Sequence, residues 1–238
     1  MVKVYVDAGH GGKDVGAVGI GNVHEADINL TVCKYLQEEL KRQGIEVKMC
    51  RTTDVFKDLK ARTSEANKWG ADIVCSVHCN AFSDPSANGT EVFCYKKGSK
   101  GEKIATYVQN ELLSVLGTKS RGVKEGNLAM VRDTIAPAIL CELGFITNKA
   151  DCAKVRANEK SCAIAICKGI CKYLGITYKG ETKVTNDYSN HWGEKAIQSM
   201  IDKKIMVGDG KGKFRPDDNI TRAEVAQTIE NLLAYLKK

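Results

Sequence analysis

Two histidines and two glutamates lie at positions where an α/β fold would bring them together. His10 and His78 each follow a strand-like segment, Glu142 closes another, and Glu25 opens the helix after the first strand. The carboxyl ends of parallel strands meet at one edge of an open sheet, and such sheets bind their ligands there. We therefore expect these four side chains to converge.

This combination of imidazole and carboxylate groups is typical of a catalytic zinc site. Two histidines and one carboxylate hold Zn²⁺ at roughly 2.0–2.2 Å and leave a fourth position for water. Zinc lowers the pKa of that water and polarises a carbonyl oxygen, while another carboxylate transfers the proton to a leaving amine. The set predicts a hydrolase with one catalytic zinc ion. His24 adjoins Glu25 and is an alternative ligand, although its surroundings favour a solvated loop histidine.

The elements that must position these residues alternate between strand-like and helix-like patterns. This alternation predicts an α/β fold with a mostly parallel, twisted sheet flanked by helices. The predicted strands are Val2–Val6, Ile45–Cys50, Asp72–Val77, Glu91–Tyr95 and Ala138–Cys141. The predicted helices are Glu25–Gln43, Val55–Trp69, Ile104–Leu116 and Glu159–Leu174.

The pattern changes near residue 176, which predicts two domains. Residues 1–176 form the predicted catalytic domain, and the polar, aperiodic residues 177–186 form a linker. Residues 187–238 contain two amphipathic helices, about His191–Lys203 and Thr221–Leu236, which predict a small all-α module.

Charge and composition narrow the choice of partners. The net charge of +7 favours an anionic partner such as a cell wall. Nucleic acid is not expected, because there is no stripe of alternating aromatic and basic residues. No segment is long enough to span a membrane, and the first residues resemble a strand rather than a signal peptide. We therefore expect synthesis in the cytosol and release by another route. The ten cysteines form no CxxC pair and lie in apolar runs, so we expect core packing.

Four ordered motifs resemble a known family across residues 2–175. They are Asp7-Ala-Gly-His10-Gly-Gly-Lys-Asp-Val-Gly16, Glu25-Ala-Asp-Ile-Asn-Leu30, Ser76-Val-His78-Cys-Asn80 and Glu142-Leu-Gly-Phe-Ile-Thr-Asn148. Together they resemble the zinc-dependent N-acetylmuramoyl-L-alanine amidases of the amidase 3 type. The resemblance implies cleavage of the amide bond between the lactyl group of N-acetylmuramic acid and L-alanine in peptidoglycan. It also implies a phosphorylase/hydrolase-like fold, metal ligands at His10, Glu25 and His78, and a catalytic glutamate at Glu142.

The same resemblance suggests further site residues. Asn80 and Arg51 are predicted to bind substrate, although Arg51-Thr52 reverses the order of the pair that the family usually carries. Cys79 replaces a smaller residue of the family, and we expect its thiol to point into the core. Two other functions remain open: a zinc peptidase that cuts within the stem peptide, and a wall-binding protein whose enzyme domain is inactive.

The C-terminal segment resembles one S-layer homology module. The resemblance rests on Asn190-His-Trp192, Ala196-Ile197, the turn 208–216 and Ile220-Thr-Arg-Ala-Glu224. It implies that Trp192 and Arg222 bind secondary cell-wall polysaccharide. One alternative is that Trp192 packs the two helices together, and self-association into a composite binding site is a further hypothesis. The domain set is similar to that of a phage lysin acting on a Gram-positive wall.

Overall fold

The computed structural model of the protein describes residues 1–180, 186–210 and 213–237. The chain divides into two compact units, Met1–Lys179 and Gly180–Lys238, which are called the N-terminal unit and the C-terminal unit below. The predicted linker lies partly outside the described residues, since residues 181–185 are not among them.

A six-stranded sheet forms the centre of the N-terminal unit, with strand order β2-β1-β3-β6-β4-β5. Strands β2, β1, β3 and β6 run parallel to their neighbours, while β4 is antiparallel to β6 and parallel to β5. The predicted mostly parallel sheet is therefore confirmed. The strands are β1 (Lys3–Ala8), β2 (Glu46–Met49), β3 (Ile73–Asn80), β4 (Thr90–Cys94), β5 (Ser120–Glu125) and β6 (Ala138–Phe145).

Helices flank this sheet and bury their apolar stripes. The helices are α1 (Glu25–Arg42), α2 (Leu59–Trp69), α3 (Lys100–Leu116), α4 (Ala129–Arg132), α5 (Lys149–Ala157) and α6 (Glu159–Leu174). Helix α6 packs between α1 and α3. Its approach to α3 is close because residue 169 is glycine: an added Cβ would lie 2.6 Å from the Cα of Val108.

Several predicted boundaries are wrong. Strand β3 continues through Asn80 and β6 through Phe145, so His78 and Glu142 lie within strands rather than after them. Helix α2 begins at Leu59 rather than Val55, because the side chain of Asp58 accepts a hydrogen bond from the backbone N–H of Ala61 and caps it. Strand β5 and helices α4 and α5 have no counterpart among the predicted elements.

The cysteines lie in the interior, as predicted. All ten are free and buried. Cys79 belongs to the hydrophobic core and is 3% exposed, so its thiol points away from the edge that carries the histidines. Burial also raises the pKa of the Cys79 thiol well above its usual value. These thiols pack as small apolar side chains.

The C-terminal unit contains helices α7 (Glu194–Asp202) and α8 (Arg222–Leu236). A capping box starts α8: Thr221 and Glu224 each accept a hydrogen bond from the other's backbone N–H. Residues 211–212 of the predicted glycine-rich turn lie outside the described residues. Among the described helices, none combines the length and apolar character needed to cross a membrane.

Candidate metal centre

The sheet places the predicted site residues at neighbouring positions. His78 on β3 and Glu142 on β6 are direct partners in the parallel register. His10 lies two residues beyond the end of β1, which pairs with β3. Glu25 is the first residue of α1. Residues far apart in sequence therefore converge at one edge of the sheet, as the sequence predicts.

Glu25 is the centre of a cluster with both histidines. Its Oε1 lies 2.8 Å from His78 Nδ1 and 3.2 Å from His10 Nε2. One ligand atom from each of the three residues lies within 4.8 Å of the other two. Two imidazoles and one carboxylate match the donor set of catalytic zinc sites. The residues present therefore fit a zinc ion.

Backbone and amide donors hold the Glu25 carboxylate in place. Oε1 also accepts hydrogen bonds from the backbone N–H of Cys79 at 3.1 Å and from Asn29 Nδ2 at 3.2 Å. Oε2 accepts one from the backbone N–H of Ala17 at 3.0 Å. Burial alone would raise the pKa of Glu25, but hydrogen bonds with both histidines keep it far below its usual value. The carboxylate is thus ionised, as metal binding requires.

Glu142 lies beside the cluster without belonging to it. The residue is partly exposed, yet its Oε2 is buried and has no hydrogen-bond partner among the described residues. Burial raises the pKa of Glu142 to about 7; His78 opposes this rise and Glu25 adds to it. A carboxylate with an unpaired oxygen and a pKa near neutrality is suited to exchange protons at a reacting centre.

Asp14 is a functional candidate that the sequence analysis missed. Its Oδ2 lies 2.9 Å from His10 Nδ1, and the pair faces solvent on one side. When Nδ1 carries the proton, its N–H donates a hydrogen bond to Asp14, and the unprotonated Nε2 can bind a metal. The signal was available, because Asp14 follows His10 by four residues across the two glycines of a tight turn.

His10 adopts a left-handed backbone conformation with φ 61°, which is uncommon for a residue with a side chain. Arg62 on α2 stabilises this turn by donating to the His10 carbonyl at 2.7 Å and to the Ala8 carbonyl at 2.6 Å. Arg62 also bonds Asp7 Oδ1 at 2.8 Å, and Ser76 donates to Asp7 Oδ2 at 2.6 Å. A buried ion pair therefore supports the histidine from behind.

Two glycines leave room for the cluster. A Cβ on Gly9 would lie 2.2 Å from His78 Cε1, and one on Gly16 would lie 2.8 Å from both Glu25 Oε2 and His10 Cδ2. Gly16 also has φ +69°, where a side chain is strained. The glycines of the first motif thus serve close packing around the imidazoles.

Arg51 lies two residues beyond the end of β2 and is buried. The residue is 3% exposed. Its guanidinium donates to the backbone carbonyls of Ala8, Gly9, Ala26 and Thr53 at 2.8–3.2 Å. A buried guanidinium with these bonds stabilises the chain beneath the histidines. The structure therefore favours a structural role for Arg51, and the predicted contact with substrate is not supported.

Asn80 lies at the surface of a cleft next to the cluster. Its Nδ2 donates to Glu91 Oε1 at 2.6 Å, and its Oδ1 accepts from the backbone N–H of Ala81. Asn80 lines the cleft together with Phe82 and Arg121. This location leaves its predicted role in substrate binding as a prediction. His24 is outside the cluster, with its nearest ionic partner, Asp27, at 3.8 Å.

In the C-terminal unit, Trp192 is 93% exposed. This exposure contradicts the alternative that Trp192 packs α7 against α8. Arg222 is exposed at the first position of α8. His191 bonds Asp217 and the backbone N–H of Gly193 within the unit. Wall binding by Trp192 and Arg222 stays a prediction.

Comparison with known proteins finds similar sequences in Bacillus subtilis and in a Bacillus phage. The chain is 40% identical over 174 residues to the uncharacterized protein YqiI of Bacillus subtilis, covering 71% of this chain and 84% of YqiI. It is 35% identical to the endolysin of Bacillus phage SPP1, covering 74% of this chain and 67% of the endolysin. The chain spans between 31% and 84% of the length of these and similar curated relatives.

A solved structure and two family matches complete the comparison. The N-acetylmuramoyl-L-alanine amidase of Clostridium difficile 630 superimposes with a TM-score of 0.70 at 34% identity, over 73% of this chain and 97% of that one. Residues 185–226 match the S-layer homology domain. Residues 4–172 match the family described as N-acetylmuramoyl-L-alanine amidase, Amidase_3. The chain therefore belongs to the N-acetylmuramoyl-L-alanine amidase family.

Proposed function

We propose that the N-terminal unit hydrolyses the amide bond between the lactyl group of N-acetylmuramic acid and L-alanine, with one zinc ion held by His10, Glu25 and His78. The observation that carries this proposal is the three-residue cluster beside a buried, unpaired Glu142 oxygen. Zinc bound there would lower the pKa of a water molecule and polarise the carbonyl of the scissile amide.

Residues of the chain transfer the protons and hold the metal ligands in position. Glu142 accepts the proton of the attacking water and returns it to the nitrogen of the leaving L-alanine. A carboxylate pKa near 7 suits both transfers, because the group takes and gives a proton at neutral pH. Asp14 orients His10, and the buried Arg62 holds the turn that carries it. The mechanism needs no covalent intermediate with the chain.

Replacement of Glu142 tests the assignment. Glu142→Gln should leave zinc binding intact and reduce turnover at least about 10²-fold, the low end for positioned acid–base groups. Zinc content is measured by atomic absorption, and turnover by release of new amino groups from peptidoglycan. Glu38→Gln removes the same charge from the exposed face of α1 and should change neither quantity. Near-normal turnover in Glu142→Gln would contradict the assignment.

The identity of the cleaved bond separates the amidase from a zinc peptidase. Mass spectrometry of digested wall should find intact stem peptides with a new L-alanine amino terminus. Cleavage should stop when a chelator removes the metal and resume when zinc is added. Stem peptides cut internally would instead identify a peptidase. Absence of any cut would identify a wall-binding protein with an inactive enzyme domain.

We further propose that residues 1–176 are the catalytic domain, 177–186 a linker and 187–238 a wall-binding module. The match to the S-layer homology domain supports binding of secondary cell-wall polysaccharide, with Trp192 and Arg222 as contacts. Exposure of Trp192 makes its indole ring available for stacking on a sugar. Similarity to the phage SPP1 endolysin supports a role in wall lysis after release from a cell. A natural leader encoded upstream would contradict that route.

A further inference from the structure

One row of paired residues crosses the sheet from the metal centre to its edge strand. His78 on β3 pairs with Glu142 on β6, Glu142 pairs with Glu91 on β4, and Glu91 pairs with Gly122 on β5. Directly paired residues of neighbouring strands point to the same face. The face that carries the histidine and the proposed base therefore continues, uninterrupted, onto β5.

An irregularity in β5 places two cations on that face. The register shifts between Thr90 and Glu91, so that Arg121 is an extra residue opposite β4, and Gly122 adopts φ 78°. This is the pattern of a bulge with glycine in the left-handed region. Both Arg121 Nε, at 2.9 Å, and Lys124 Nζ contact Glu91 Oε2. The bulge thus brings both cations to one carboxylate.

The charges around Glu91 do not balance. Glu91 is 3% exposed, and its Oε1 accepts a hydrogen bond from Asn80. Among the groups in direct ionic contact here, one carboxylate faces two cations, so one positive charge stays available at this end of the cleft. A buried carboxylate that holds two partly exposed cations prepares them for an anion, since their positions are fixed before it binds.

Arg121 is oriented so that part of its guanidinium faces the cleft. The group lies 4.9 Å from the centre of the Phe145 ring, and the Arg121 side chain is 31% exposed. The Phe145 ring, the Glu91 carboxylate and a long hydrogen bond from Nη1 to the Asn88 carbonyl at 3.5 Å position the guanidinium. Its Nη2 has no partner among the described residues, so this N–H group is the one left for a carboxylate. Arg121, Phe145, Glu91 and Asn80 all line the same cleft.

The cleft has the right distance from the reacting bond for one particular anion. Strand β5 lies two strand spacings, or about 10 Å, from β6 and Glu142. In a stem peptide the residue after L-alanine is a D-glutamate joined through its γ-carboxyl, so its α-carboxylate is free. In an extended chain that carboxylate lies about 6–7 Å from the scissile nitrogen. An arginine side chain reaching back from β5 spans the remaining few ångströms.

We propose that Arg121, assisted by Lys124, binds the α-carboxylate of the second stem residue and makes the enzyme prefer peptides in which this group is not amidated. The inference rests on the proposed amidase function and adds a specificity to it. The cleft on the other side of the cluster contains both signs of charge, including Asp14, Asp58 and Lys60. The neutral glycan binds on that side, and the anionic peptide lies across β4 and β5.

Two small substrates that differ in one group test the proposal. The full chain is given N-acetylmuramoyl-L-alanyl-D-glutamate, or the same compound with the α-carboxylate converted to an amide, and kcat/KM is measured for each. We expect the acid to be preferred about tenfold or more, which is the range for a hydrogen bond to a charged group. Arg121→Gln should remove this preference by lowering kcat/KM for the acid, mainly through KM, with little change for the amide.

Further variants separate binding from a general effect on folding. Lys124→Gln should weaken the preference, Arg121→Lys should retain part of it, and Arg156→Gln, at an exposed position on α5, should leave it unchanged. Equal rates for acid and amide, or an equal loss for both in Arg121→Gln, would overturn the subsite while the amidase function stands. Digestion of intact peptidoglycan is measured in parallel. If the enzyme digests wall but not the small compounds, L-alanyl-D-glutamate and its α-amide are compared as inhibitors of wall digestion. The acid should then inhibit more strongly than the amide, and equal inhibition would overturn the subsite. Failure to digest wall would instead refute the proposed function itself.

Discussion

Arg62 and Asp7 form a buried ion pair directly behind the turn that carries His10. Arg62 Nη1 lies 2.8 Å from Asp7 Oδ1, and the two side chains are 3% and 1% exposed. Removing one partner of such a pair costs about 3–5 kcal/mol, because the other charge stays buried without a counterion. We therefore expect Arg62→Met to lower the free energy of unfolding of the N-terminal unit by about 3–5 kcal/mol at neutral pH.

The loss should depend on pH in a direction that follows from Asp7. Burial alone would raise the pKa of Asp7, but Arg62 and Ser76 hold it below its usual value. In the wild-type protein this pair therefore adds stability above the unfolded pKa of about 3.9, and the gain disappears as the pH falls through the folded pKa. Without Arg62, burial dominates and the pKa of Asp7 rises. The penalty then grows as the pH increases from about 4 to about 7, so the gap between the two proteins should widen.

Urea unfolding of the metal-free chain measures this gap at several pH values. Trp69 ends the helix that carries Arg62 and reports on the N-terminal unit when Trp192 is replaced by Phe. The double variant Asp7→Asn/Arg62→Met should lose less stability than the sum of the single variants, because no unpaired charge stays buried. Arg132→Met breaks an exposed pair with Asp133 and should have little effect. A loss below about 1 kcal/mol at neutral pH, or a gap independent of pH, would refute the reasoning.

Two further predictions concern the pH dependence of zinc binding and the binding of the C-terminal unit to cell walls. The pKa of His10 is raised to about 9, mainly by its hydrogen bond to Glu25 and against the effect of burial. Zinc binds neutral imidazole, so its dissociation constant should fall about tenfold or more between about pH 6 and pH 8. Competition with a chelator measures this fall, His24→Gln should not alter it, and a pH-independent constant would contradict the ligand set. Trp192→Ala should lower the affinity for walls that retain their polysaccharide about tenfold, as measured by co-sedimentation. The affinity for walls stripped of polysaccharide should not change. Equal binding by both proteins would exclude Trp192 as a contact.

Elements with a strong pattern and a clear stop were predictable from the sequence. Helix α6 spans Glu159–Leu174, as predicted, because its apolar stripe is continuous and Gly175 ends it in a left-handed conformation. Strand β5 was missed because half of its residues are charged and most are half-exposed, and Gly122 interrupts the alternation that indicates a strand. An edge strand with a bulge shows little of the two-residue alternation of apolar and polar side chains from which strands are predicted.

The metal-binding side chains of the candidate site were predictable from the sequence, but the arginines that hold the surrounding backbone in place were not. His10, Glu25 and His78 stand out because their residue types match a metal and each lies at an expected sheet position. The supporting roles of Arg62 and Arg51 were not predictable, since most of their hydrogen bonds go to backbone carbonyls about 25–55 residues away. Carbonyl positions depend on the folded path of the chain, which residue types and local spacing do not specify.

The sheet register links the site to the core that lies behind it. Along β3 and β6, the residues that alternate with His78 and Glu142 are fully buried on the opposite face, among them Val77, Ile139 and Cys141. A slip of one residue between these strands would exchange the faces, so that a carboxylate would replace an apolar side chain in the core. That exchange is unfavourable enough to exclude the slipped register. The apolar residues between the site residues therefore determine that Glu142 lies beside His78, and a core substitution that loosens this pairing would reduce activity without touching the substrate.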